Sequence, residues 1–238
     1  MTEAEWLTSG DASALLRSLP QPISRRRCLL AVCGYGRQIE RLVPHASVVL
    51  HLAECERGAD GLTTIDNSNE AMGDRIASVA APFPRDSSQH LISVSLLECL
   101  FVAQLERPYI HTGSYRNLRT SAVNLMRIDP GNGQLGPRHH SDEWRARWEH
   151  ECNAQADIVR DIFGNPLRPF ALTSEWRTDI AVSLARQMYE LRDFGAMPIL
   201  ADALQDAGCD NPDILDHCRG PGPHVRGCWV VDRVLGKE

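Results

Sequence analysis

Apolar residues recur along the chain three or four positions apart, which is the spacing of one face of an α-helix. Within residues 141–163, for example, Trp144, Trp148 and Cys152 are four positions apart. Alternation of apolar and polar residues, the pattern of a half-buried strand, is almost absent from the sequence. We therefore expect an all-α fold, an irregular bundle of about 9–11 helices whose final members stack like the end of a solenoid.

Capping and helix-breaking residues predict where the helices begin and end. Thr2 and Glu5 form a capping box, Asp11 and Ser24 are good N-caps, and Asn211 precedes a proline at the first helical position. The longer and the C-terminal predicted helices span residues 24–43, 46–57, 69–80, 91–105, 115–126, 141–163, 174–191, 198–208, 211–218 and 223–235.

Two of these helices have informative apolar faces. Residues 91–105 are apolar nearly all round, which is typical of the buried centre of a bundle. In the helix over residues 174–191, four apolar residues share one face, and we expect that face to point inward. These residues are Ile180, Leu184, Met188 and Leu191.

The segment 129–140 is rich in glycine and proline and is the best linker or surface loop of the chain. It separates a predicted N-terminal helical bundle, residues 1–128, from a predicted C-terminal helical region, residues 141–238. The alternative is one continuous domain, because 238 residues can also fold around a single core.

Composition and charge exclude several classes of protein. Of the 238 residues 43% are hydrophobic and 24% are charged, the balance of a soluble globular protein. The net charge of -6 argues against nucleic-acid binding. No apolar run reaches the roughly 18 residues that a membrane span needs. The N-terminus lacks a basic segment followed by an apolar one, so we expect a cytoplasmic protein.

Common catalytic motifs are absent or incomplete. Residues 131–136 match the dinucleotide-binding pattern of glycines, but Pro130 and Pro137 flank them and no strand precedes them. His150 and Glu151 begin a zinc-protease motif, but Ala154 stands where its second histidine is required. The only lysine, Lys237, is next to the last residue, which argues against P-loop and Schiff-base chemistry. The sequence therefore favours a protein without catalytic activity and without a cofactor, a structural zinc ion aside.

One group of residues near the C-terminus has metal-ligand chemistry. Within 20 positions the chain carries Cys209, His217, Cys218, His224 and Cys228. The last two are four apart and would share a face of the predicted final helix. Thiolates and imidazoles are the ligands of structural zinc, although the C-x2-C pair of zinc knuckles is missing. Core packing is the favoured interpretation of this cluster, structural zinc the second and a catalytic Cys–His pair the third.

The chain has eight cysteines, which we expect to be reduced thiols in the cytoplasm. Cys28, Cys55, Cys99 and Cys152 lie among apolar helical neighbours and are predicted to be core residues. Cys28 and Cys33 are five positions apart and diverge around a helix, so they cannot chelate one metal there.

Several segments, all but one in the C-terminal third, resemble a large paralogous family of uncharacterised bacterial proteins. They are residues 1–7, 161–166, 200–204, 207–210, 217–219 and 224–232. The middle of the chain, residues 108–138, departs from that family. Members often carry a cysteine-rich helix where residues 28–37 stand, but here Gly34, Tyr35 and Gly36 interrupt the pattern. The resemblance implies a shared domain and no activity.

The favoured hypothesis is a protein-interaction or regulatory module that binds another protein. The first alternative is an enzyme of unrecognised class, and the second is a structural zinc-binding protein. The residues of the enzyme hypothesis are His217, Cys218, Arg219, His224, Arg226 and Asp232.

Overall fold

The structure is a computed structural model, and it describes residues 1–40, 46–64, 71, 74, 77–78 and 141–237. Every regular element of these residues is helical, which confirms the predicted all-α fold. The helices are α1 (Glu3–Thr8), α2 (Ala12–Ser18), α3 (Arg25–Ile39), α4 (Ala46–Ala59), α5 (Asp142–Phe163), α6 (Asp179–Leu191), α7 (Met197–Asp206), α8 (Pro212–Arg219) and α9 (Trp229–Leu235), with a 3₁₀ turn at Ser174–Trp176.

Some predictions fall outside the described residues. They concern the helices over residues 91–105 and 115–126, the glycine motif at residues 131–136 and the linker at residues 129–140. The predicted domain boundaries and the solenoid-like stacking therefore stay predictions. In the described residues no helix is both long and apolar enough to cross a membrane.

Contacts between residues divide the chain into two compact units. The terminal unit consists of Met1–Thr8 together with Asp157–Glu238, and the central unit is Ser9–Ala156. The sequence did not indicate that the first residues belong with the C-terminal third. In the terminal unit Trp6 of α1 is buried, and its carbonyl oxygen accepts a hydrogen bond from Arg160 Nε at 2.9 Å.

The predicted caps form local hydrogen bonds. The Thr2 hydroxyl accepts from the Glu5 backbone N–H at 3.2 Å, and a Glu5 carboxylate oxygen accepts from the Thr2 N–H at 2.7 Å. Asp11, Ser24 and Asn211 each accept a backbone N–H of the helix that follows them. Because these caps satisfy N–H groups that a helix leaves free, short helices such as α2 and α8 begin at defined residues.

The helix predicted over residues 174–191 is shorter and faces differently. It begins at Asp179, capped by Thr178, and the residues before it form the 3₁₀ turn. Ile180 and Leu191 are 68% and 65% exposed, so the prediction that they point inward was wrong. The buried face consists of Ala181, Ala185, Met188 and Tyr189. Small alanines there allow α6 to pack closely against α7 and α9, which it contacts.

The final helix is also shorter than predicted. It begins at Trp229 and not at residue 223, so His224 and Cys228 do not share a helical face. The segment before it contains Gly222 and Gly227, with φ values of 81° and 96°. Because these values are incompatible with a right-handed helix, residues 220–228 form an irregular connection.

The core of the terminal unit is built from α6, α7, α8 and α9. Leu200, Ile214 and Val231 are fully buried in it. Trp229 lies at its edge, where the Phe170 ring packs against it edge-on at 4.7 Å between ring centres. This core fixes the start of α9 relative to the end of α8.

Gly164 ends α5 with a left-handed φ of 66°, and a Cβ atom at this position would lie 3.3 Å from the Trp229 indole. We expect Gly164→Ala to destabilise the protein by about 2–5 kcal/mol, because backbone strain of about 1–2 kcal/mol adds to overpacking. Urea unfolding measures the difference.

Gly208→Ala is the matched control. Gly208 also has a positive φ, 90°, but a Cβ atom added to it would have no atom of the described residues within 4 Å. The Gly208→Ala variant should lose only about 1–2 kcal/mol of stability, because backbone strain is the only cost. Equal losses in the two variants would contradict a close contact between Gly164 and Trp229.

Candidate metal centre

Three segments of the terminal unit bring four metal-ligand side chains together. Asp161 lies in the last turn of α5 and His217 in the last turn of α8. His224 lies in the connection to α9, and Cys228 directly precedes that helix. One ligand atom from each residue lies within 4.8 Å of all the others.

The connection between α8 and α9 is shaped so that His224 and Cys228 face Asp161. A side chain at Gly222 would put a Cβ 2.9 Å from the His224 backbone nitrogen, so the close turn there requires glycine. The Val225 N–H donates to Asp161 Oδ2 at 2.9 Å, and the Cys228 N–H donates to the Val225 carbonyl oxygen at 2.9 Å. The first bond ties the connection to α5 and leaves Asp161 Oδ1 for the side chains, and the second forms a turn within the connection that ends at Cys228.

Asp161 Oδ1 is the point on which the ring nitrogens converge. It lies 2.9 Å from His224 Nδ1 and 3.2 Å from His217 Nε2. The same His217 nitrogen lies 3.2 Å from Cys228 Sγ. The two imidazole rings meet edge-on with 4.9 Å between their centres, and the His217 ring also packs against Trp229 at 5.0 Å.

The carboxylate and the thiol of this site respond differently to burial. Burial alone would raise the pKa of Asp161, but the hydrogen bonds from His217 and His224 outweigh it and lower that pKa. Burial and the nearby Asp161 carboxylate raise the pKa of Cys228 well above its usual range. At neutral pH the metal-free site therefore holds a carboxylate and a protonated thiol, and a metal ion would release the thiol proton on binding.

One ring nitrogen of His224 is buried without a hydrogen bond to the described residues. Its side chain is 8% exposed, and its Nε2 atom is buried with no hydrogen-bond partner among the described residues. Leaving a buried polar atom unpaired costs about 1–3 kcal/mol. In a native protein such an atom indicates a water molecule or an ion near it.

The site contains three of the five residues that the sequence proposed as ligands, His217, His224 and Cys228. Cys209 and Cys218 are not part of the group of four and are buried in the helical core instead. Burial, the first of several causes, raises the pKa of Cys218 to about 12, as expected for a core thiol.

Asp161 is the ligand that sequence reasoning missed. The sequence carries one signal for it, because the carboxylate stands between Ile158 and Ile162 on the buried face of a long helix. A charged residue at such a position requires partners. Which partners it has depends on contacts with residues more than 50 positions away, and no local pattern reveals those.

The contacts of His217 differ from those of the histidine in a catalytic triad. One nitrogen of His217 faces both Cys228 and Asp161, whereas a catalytic triad uses the two opposite nitrogens of its histidine. Arg219 binds Asp202 at 2.8 Å, and Arg226 stacks on the Tyr189 ring at 4.4 Å. These contacts do not bring either arginine to His217 or Cys228.

Comparison of the chain with known protein families, with curated proteins and with solved structures finds no match. The resemblance to a bacterial paralogous family therefore stays a prediction, and the chemistry of the site has to be inferred from its own geometry.

Asp161→Asn should destabilise the metal-free protein by about 3 kcal/mol or more, because two imidazoles and the Val225 N–H lose the buried carboxylate charge that they contact. Asp157→Asn, one turn earlier on α5, is the control. Asp157 is 46% exposed and pairs with Arg160 near the surface, so its loss should cost less than about 1 kcal/mol. Equal losses in urea unfolding would contradict the central role of Asp161.

The same carboxylate predicts a dependence of stability on pH. The folded-state pKa of Asp161 lies below its value in the unfolded chain. Its charge therefore stabilises the folded protein above about pH 4, and this contribution is lost as the pH falls through the folded-state pKa. Urea unfolding between about pH 2 and 6 should show a steeper loss of stability in the natural protein than in Asp161→Asn. If the stabilities of the two proteins fell in parallel with pH, the predicted contribution of the Asp161 charge would be contradicted.

Proposed function

We propose that this protein binds one zinc ion through Asp161, His217, His224 and Cys228, and that the ion has a structural role. The observation that carries the proposal is the convergence of four donor atoms, from three separate segments, within 4.8 Å of one another. His224 Nδ1 and His217 Nε2 are the nitrogens that face Asp161 Oδ1, and they are the donors that this proposal assigns to the ion.

The donor chemistry favours zinc over the other common metals. The site offers one carboxylate oxygen, two imidazole nitrogens and one sulfur. Calcium and magnesium prefer shells made of oxygen alone, whereas a mixed shell of nitrogen and sulfur suits zinc. The site is also mostly buried, so the ion would exchange slowly with solvent.

The separations between donors are close to those of a tetrahedral zinc shell. With zinc 2.0–2.3 Å from each donor, neighbouring donors lie about 3.3–3.6 Å apart. The contacts of His217 with Asp161 and with Cys228 are both 3.2 Å, and that of His224 with Asp161 is 2.9 Å. The donor atoms of the four residues all lie within 4.8 Å of one another, so binding would draw the most distant pair together by about 1 Å.

Four protein donors favour a structural role over a catalytic one. Catalytic zinc keeps a coordination position open for water, and here the four side chains fill a tetrahedral shell. The ion would join the end of α5, the end of α8 and the start of α9, and would hold the irregular connection between the last two. Zinc binding would therefore stabilise the terminal unit as a whole.

Metal analysis of the full chain, without an affinity tag and purified without chelator, tests the proposal. We expect about one zinc per chain and a melting temperature that falls by about 10 °C or more after chelation, because the ion binds only the folded state. Readdition of zinc should restore it. Less than about 0.2 metal per chain, with no shift when zinc is added, would overturn the proposal.

Matched variants assign the ligands. Cys228→Ser should lose the ion and, after loading with cobalt, the thiolate-to-cobalt absorption band. Cys209→Ser changes another buried cysteine of the same unit, which is not one of the four proposed ligands. This variant should keep both the zinc ion and the cobalt absorption band. Retention of zinc by Cys228→Ser, or its loss from Cys209→Ser alone, would contradict this ligand set.

The protein-interaction role that the sequence favoured stays a second proposal for what a zinc-stabilised terminal unit does. The exposed side chains Ile180, Leu191 and Ile199 belong to α6 and α7 of this unit and are the apolar residues that a partner would cover.

A further inference from the structure

A second group of reactive side chains lies in the central unit, between α3 and α4, which pack against each other. Cys33 belongs to α3, whereas His51 and Cys55 belong to α4 and are four residues apart. Both cysteines are buried, with exposures of 1% and 0%. The proposed zinc site does not use any of these residues.

The side chains form a connected series from the core to the surface. Cys33 and Cys55 are buried on the two packed helices and are close enough for each thiol to shift the pKa of the other. Cys55 Sγ lies 3.6 Å from His51 Nε2, and His51 Nδ1 lies 3.6 Å from a carboxylate oxygen of Glu54. The Glu54 side chain is 42% exposed, so the series ends in solvent.

The two thiols differ in acidity. The hydrogen bond from Cys33 and the hydrogen bond and charge of His51 lower the pKa of Cys55 to about 6, although burial opposes them. Burial and the contact with Cys55 raise the pKa of Cys33 well above its usual range. The neighbouring groups therefore favour the thiolate form at Cys55 over Cys33, the order of an attacking and a resolving cysteine.

We propose that Cys55 and Cys33 form an oxidisable dithiol, in which Cys55 reacts with a small hydroperoxide and Cys33 completes a disulfide between α3 and α4. The placement of both buried cysteines on two helices that pack together, and the imidazole nitrogen 3.6 Å from Cys55 Sγ, carry the proposal.

The reaction balances in two steps. The Cys55 thiolate attacks the peroxide, an S–O bond forms as the O–O bond breaks, and the leaving oxygen departs as water or alcohol after taking up a proton. The Cys33 sulfur then attacks the resulting sulfenic acid, an S–S bond forms, and water leaves with the proton of the Cys33 thiol. The two sulfur atoms together lose two electrons, and the peroxide gains them.

Burial sets the kind of oxidant. Cys55 has no exposed surface, so bulky disulfides and alkylating reagents are excluded unless the helices separate. Hydrogen peroxide is little larger than water, and His51, 8% exposed, separates the thiolate from solvent. The site therefore selects small peroxides over larger oxidants.

Hydrogen peroxide treatment of the zinc-loaded full chain tests the proposal. After denaturation, alkylation of the remaining thiols and proteolysis, mass spectrometry should find a peptide pair joined through Cys33 and Cys55. Of the eight thiols two should be lost, and dithiothreitol should restore them. Disulfides that join either cysteine to another partner, or no loss of thiols at these two positions, would overturn it.

Three variants separate the roles. Cys33→Ser should leave Cys55 as a sulfenic acid, which dimedone traps when the oxidised chain is unfolded in its presence, and Cys55→Ser should reduce oxidation of Cys33 at least tenfold. Cys28→Ser is the control, since Cys28 lies on the same helix, is equally buried, and has a pKa that burial raises to about 12. It should leave the disulfide yield unchanged. Equal oxidation of Cys33 with and without Cys55 would contradict the proposed order of attack.

Zinc content, measured in the same samples, distinguishes this site from the metal centre. Formation of the Cys33–Cys55 disulfide should leave the zinc bound, because Cys228 takes no part in it. If the thiols lost are those of the metal centre instead, with release of zinc, the dithiol proposal fails and the zinc proposal stands.

Discussion

A buried carboxylate organises the terminal unit of this protein. Asp161 is 2% exposed, and a charge at such a depth is tolerated only where hydrogen bonds and opposite charge compensate its lost hydration. One carboxylate oxygen is held by a backbone N–H of the α8–α9 connection, and the other receives two imidazole nitrogens. The attachment of the α8–α9 connection to the end of α5 and the proposed zinc site both depend on this one group.

The two cysteines proposed to be functional show how neighbours decide thiol chemistry. Cys228 and Cys55 are equally buried, and burial alone raises the pKa of both. The Asp161 carboxylate raises the pKa of Cys228 further. Cys55 instead lies beside the Cys33 thiol and the His51 imidazole, which lower its pKa. The protonated thiol is therefore favoured at Cys228, where the proposed metal ion would have to displace the proton, and the thiolate is favoured at Cys55. The sequence pattern describes both merely as cysteines in apolar surroundings.

Local features of the fold were predictable from sequence, and contacts across the chain were not. The capping box at Thr2 and the cap at Asn211 follow from side-chain hydrogen bonds over two or three residues, and the structure contains both. The final helix was predicted too long because Gly227, which lies inside the predicted range, has a φ of 96° that a right-handed helix does not allow. The choice of Asp161 over Cys209 and Cys218 as the fourth donor depends on how α5 meets the α8–α9 connection, which no spacing within one segment encodes.

X-ray absorption at the zinc edge, on the tag-free full chain loaded with one equivalent of zinc, tests the central claim most directly. We expect a four-coordinate ion with one sulfur at about 2.3 Å and three nitrogen or oxygen atoms at about 2.0–2.1 Å. A shell without sulfur, or one with two or more sulfur atoms, would contradict the assignment of Asp161, His217, His224 and Cys228 as the ligands.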